Sequence, residues 1–120
     1  MTDLRHTRPL SQVEVEERIQ AVIEAMESTT EDFDAIAKEA AEAEADYKRQ
    51  HAMGVLAVIN HGEKMTAAQR DARIDLHCAD VHKRYLVTQA ARNSCREHLL
   101  TLRAHLDALR TLNASVRNQT

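Results

Sequence analysis

A chain of 120 residues suits a single domain, and two glycines, one proline and 2% aromatics leave little material for the turns and rings of a β-sheet protein. Its 43% apolar residues are interspersed with 29% charged ones, so no run approaches the roughly 20 apolar residues that span a bilayer. The net charge of −3 hides a division: residues 1–62 carry 13 acids against 6 bases, or −7, and residues 63–120 carry 6 acids against 10 bases, or +4.

Abundant Ala, Leu, Glu, Arg and Gln lose little on entering a helix, so an almost wholly helical chain is expected. The N-terminus also lacks the apolar core of a signal peptide, which makes a soluble protein of the cytoplasm the expectation. Halves of opposite sign are expected to neutralise each other in the fold, although a separate basic surface is an alternative.

Residues 1–10 read as a flexible N-terminus. Ser11-Gln-Val-Glu14 is a capping box, with a hydroxyl at the cap and a carboxylate three residues on, and it opens a first arm at about residue 11. Val15, Ile19, Val22, Ile23 and Met26 recur at helical spacing, followed by Phe33, Ile36, Ala37, Ala40, Ala43, Tyr47, Gly54, Val55 and Val58. The alanines and Gly54 would let another helix come close, either the second arm or a neighbouring chain. A second box, Ser28-Thr-Thr-Glu31, leaves open whether the arm is one helix or breaks into two near 28–30. Gly62, after Asn60-His61, is a left-handed stop, so residues 62–65 form a turn.

Thr66-Ala-Ala-Gln69 is a third box and opens the second arm, about 66–117. Its near-heptad seam runs Ile74, Cys78, Val81, Tyr85, Thr88, Cys95, Leu99, Leu102, Leu106, Leu109, Asn113 and Val116, interrupted by Arg92. Leu99, Leu102, Leu106, Leu109 and Val116 are the expected helix–helix interface, and Asn113 is a polar position able to fix register. Two arms of nearly equal length, each roughly 75 Å if unbroken, imply an all-α, coiled-coil-like antiparallel hairpin over residues 11–117, with 118–120 as a tail. Leu56, Ile59, Leu76, Leu86, Leu100 and Leu112 fall off the seam, so a second apolar surface is left over. A homo-oligomer, with a dimer favoured, or a larger bundle is therefore expected.

Arg96, Arg103, Arg110 and Arg117 stand at every seventh position beside the leucine seam, where coiled coils place charges that pair across the interface. A turn centred near 63–64 sets residue i opposite about 127 − i, placing Arg96 near Glu31, Arg103 near Glu24 and Arg110 near Glu16 or Glu17. The ladder thus reads as charge pairing within the hairpin, each exposed pair contributing about 0–1 kcal/mol. The same register gathers Lys48, Arg49, His51, Lys83 and Arg84, with only Asp46 and Asp80 to offset them. These five are the candidate nucleic-acid or partner-binding residues. Against phosphate binding stands the shortage of rings, since only Tyr47 and Tyr85 are near.

Seven histidines raise the question of metal, but Cys95 and His98 lack two further ligands at compatible spacing, and His77 and His82 do not share a face. Cys78 and Cys95 read as reduced thiols that a long hairpin would keep apart. No Gly-rich phosphate loop, nucleophile elbow or His-Glu-x-x-His is present, so neither catalysis nor a cofactor is expected.

The run Glu42-Ala-Glu-Ala-Asp-Tyr-Lys-Arg49, then Gly54, then Arg96 through Arg110 closing in Asn113-Ala-Ser-Val-Arg117, resembles a group of small helical proteins encoded by tailed bacteriophages and prophages. The resemblance covers about residues 40–118. It implies a non-catalytic viral interaction protein, encoded among recombination and replication genes, that binds a phage or host protein, or DNA. Because most members of the group lack an assigned activity, it transfers no catalytic residue. Two other expectations come from the residues themselves. An inhibitor of a host defence protein would present the acids Glu39, Glu42, Glu44 and Asp46, and a purely structural scaffold would use the leucine seam alone.

Overall fold

The computed structural model describes residues 10–119, so residues 1–9 of the expected flexible N-terminus and residue 120 of the tail lie outside the described residues. Three helices follow in order: α1 (Gln12–Asn60), α2 (Ala67–His77) and α3 (Ala79–Asn118). Among the described residues there is no strand, and the fold is an all-α helical hairpin, with α1 as one arm and α2–α3 as the other.

Local sequence accounts for where the arms start and stop. The Ser11 hydroxyl accepts from the Glu14 amide at 3.2 Å, and the Val15 amide donates to the Ser11 carbonyl at 3.1 Å. After Asn60, Gly62 takes φ +78°, a conformation in which a Cβ would be strained. At Thr66 both halves of the box form: its hydroxyl accepts from the Gln69 amide at 3.1 Å, and its own amide donates to the Gln69 side chain at 3.0 Å.

Ser28-Thr-Thr-Glu31 does not break α1. Thr30 instead turns its hydroxyl back to donate to the Met26 carbonyl at 2.7 Å, and the helix passes through. The interruption falls in the other arm, which the sequence reads as continuous. Cys78 sits at φ −100°, ψ 2°, off helical values, between α2 and α3. The hydrogen-bond ladder survives it, because the Cys78 amide donates to Ile74 at 3.0 Å and the His82 amide to Cys78 at 2.8 Å.

The chain divides into two compact units, Met1–Asp32 with Arg96–Thr120, and Phe33–Cys95. The core of the first is Val22 with Leu106 and Leu109, flanked by Ile19, Ile23, Met26 and Leu102. Val15 is fully buried, and Leu99 and Val116 are half-buried. In the second, small residues carry the packing. Ala40 and Ala43 are 1% exposed, and an added Cβ at Gly54 would stand 3.1 Å from the His77 ring and 3.7 Å from Ile74. The second arm is thus what approaches Gly54. Thr88 is buried on the seam with its hydroxyl donating to the Arg84 and Tyr85 carbonyls.

Candidate functional site

The expected binding residues lie in the Phe33–Cys95 unit, where α1 supplies Lys48, Arg49 and His51 and α3 supplies Lys83 and Arg84. Between the two helices lies an aromatic stack. Tyr47 lies over His82 at 4.7 Å between ring centres and 22° between planes, and over Tyr85 at 5.4 Å and 10°. His51 leans on the same ring at 5.9 Å. The stack fixes the register. The symmetric-turn reading sets Tyr47 opposite residue 80 and Asp46 opposite residue 81, whereas Asp46 meets Arg84, a displacement of about three residues.

Asp46 is the centre of the charge arrangement. One carboxylate oxygen accepts from Arg49 at 2.8 Å along α1, and the other accepts from Arg84 at 2.9 Å across the helix pair. Lys48 pairs with Glu44 at 3.5 Å. Lys83 and His51 are exposed. Four cations therefore share their surface with two carboxylates, and both arginines already spend donors on one of them. A phosphate would have to compete for those donors, and Tyr47 is already stacked with His82 and Tyr85 rather than standing free for a base. The sequence named Asp46 as a nearby acid; its double role depended on the register.

The arginine ladder is not glued as the sequence suggests. Arg96 and Arg117 are engaged within the chain, but Arg103 and Arg110 have no ion-pair partner among the described residues, and neither does Glu31. Glu24 accepts instead from Gln20, at 3.4 Å. Val22 packs against Leu106 and Leu109, so the acid level with Arg103 is Glu27 rather than Glu24, and no ion pair forms between them.

Each unit has a concave region. An open groove of about 560 Å³ has Ile23, Met26 and Leu106 on its floor and Glu27, Glu31 and Arg110 at its rim. Near the turn, a hollow of about 270 Å³ is lined by Gly54, Val58, His61, Arg73 and His77, with His61 3.6 Å from Glu63. Among the described residues no cluster of His, Cys, Asp and Glu is placed to hold a metal ion. Neither Cys78 nor Cys95 is in a disulfide.

Sequence reasoning did find the surplus apolar surface. Leu76 is 80% exposed, Ile59 69% and Leu56 58%, and Leu86, Leu100 and Leu112 are exposed as well. No helix among the described residues is long and apolar enough to cross a membrane. No protein-family model, no curated protein and no solved structure matches this chain.

Proposed function

We propose that the chain is a non-catalytic interaction protein, a homo-oligomeric helical hairpin of phage origin that works in the host cytoplasm as an accessory to DNA recombination or replication by binding a partner protein. The observation that supports it is the outer face of the hairpin. Met53, Leu56 and Ile59 stand on the side of α1 away from the seam residues Gly54 and Val58, all more than half exposed. Apolar side chains clustered on a surface whose own seam is already filled are what a protein partner covers. The phage setting rests on the resemblance of residues 40–118.

Binding of the partner protein is favoured over direct DNA binding because Asp46 and Glu44 already engage Arg49, Arg84 and Lys48. The same pairing weakens the inhibitor reading, since Glu44 and Asp46 are half-neutralised members of its acidic run. Affinity purification from infected cells, with nuclease present, tests the proposal. A specific protein should co-purify with the wild type and be lost with Leu56→Glu and Ile59→Glu. Capture unchanged by these substitutions would overturn the assigned face. Oligonucleotide binding that falls steeply with salt and disappears in Lys48→Glu with Arg84→Glu would replace the protein partner with DNA.

A further inference from the structure

We propose that the unit formed by Met1–Asp32 and Arg96–Thr120 pairs with a second copy of itself, face to face, each α1 lying on the other copy's α3 with Glu27 against Arg103. The proposal rests on the homo-oligomer reading above and assigns its interface.

Three observations lead to it. First, the two helical segments of this unit are charged oppositely: residues 12–32 hold seven acids against Arg18 alone, while residues 96–118 hold four arginines against Glu97 and Asp107. Opposite charge on packed segments would ordinarily be spent within the chain. Here Arg103, Arg110, Glu27 and Glu31 make no ion pair among the described residues. Second, these unpaired groups lie on one side of the unit. Glu27, Glu31 and Arg110 rim the same apolar groove, and Leu100, Arg103, Asp107 and Arg110 recur at spacings of three and four, so they share one face of α3. Leu100, on that face, is 52% exposed. One side of the unit therefore has an acidic edge on α1, a basic edge on α3 and an apolar floor between them.

Third, the heights agree. Val22 packs with Leu106 and Leu109, and α1 and α3 run in opposite directions, so Glu27, five residues further along α1, is level with about residue 103. A two-fold axis parallel to the helices turns the face over, exchanges left for right and leaves heights unchanged. Each acidic edge then lies on the other copy's basic edge, and Glu27 of one copy meets Arg103 of the other twice. Leu100 of the second copy comes level with Thr30 at the groove. A surface that is complementary to itself under a two-fold is the form an isologous dimer requires. A separate protein would have to supply the same charge order by coincidence.

Sedimentation equilibrium on the full chain, with circular dichroism to confirm helicity, tests this with Glu27→Arg, Arg103→Glu and their equimolar mixture. Each variant alone sets like charges against each other at both contacts, and should weaken the dimer at least about tenfold, whereas the mixture should return to within about threefold of wild type. Recovery on mixing requires the contact to be between copies, because a pair within one chain gains nothing from the other variant. A wild-type dimer that neither variant weakens would place the interface elsewhere and leave the oligomer standing. Weakened variants that do not recover on mixing would overturn the Glu27–Arg103 contact. A wild type that stays monomeric would overturn both the interface and the oligomer.

Discussion

Cys78 is 2% exposed at the junction of α2 and α3, and burial pushes its thiol above the ordinary range, with the Asp75 carboxylate adding repulsion. Both effects disfavour the thiolate in the fold. The unfolded chain gives up this proton at lower pH than the folded one, so the contribution of the neutral thiol is complete below the unfolded value. It is lost as pH rises through the folded value. The stability gap between wild type and Cys78→Ala, measured by denaturant unfolding, should therefore narrow as pH rises from about 8 to about 10.5. A gap that widened or stayed constant would show that the thiol is not held neutral by its surroundings. Asn113 is a different case on the same seam. Its side-chain oxygen is buried without a hydrogen-bond partner among the described residues, a cost that an apolar residue there would avoid.

At the scale of elements, α2 depends on its ends more than on its burial. It has 11 residues, none of them buried, and a complete box at Thr66. Thr66→Ala removes the acceptor for the Gln69 amide and should cost about 1 kcal/mol, seen as a lower denaturant midpoint and faster amide exchange over residues 67–70. Unchanged exchange there would mean that packing, not the cap, holds the first turn. Three boxes of similar form stand in the sequence, and two mark helix starts while the third lies inside α1. The difference is legible only in context: Ser11 and Thr66 precede helices after non-helical chain, whereas Ser28 and Thr30 follow an apolar stripe already under way. The seam of both arms could be read from periodicity because burial follows the 3.6-residue repeat. The junction at Cys78 could not, since no proline or glycine marks it. The register also escaped, because residues 61–66 need not be traversed symmetrically; the stacking of Tyr47 on His82 and Tyr85 sets it. With the register went the pairing of Asp46 with Arg84.

For the molecule as a whole, the decisive quantity is how little apolar surface the single chain hides. Among the described residues eight apolar ones are buried, three of them alanine or cysteine, while nine large hydrophobic side chains are exposed. At about 25 cal/mol per Å² of apolar surface removed from water, so thin a core leaves much of the available stabilisation unused until something covers the rest. If a second copy covers it, folding and association are coupled, and the unfolding midpoint must depend on protein concentration. A tenfold increase in concentration adds about 1.4 kcal/mol to a folded dimer, which for two chains of this length raises the thermal midpoint by about 3–6 °C. Melting curves followed by circular dichroism over a hundredfold concentration range check this directly. A midpoint that does not move would mean that the thin core suffices alone, and that the exposed leucines await a partner other than this chain.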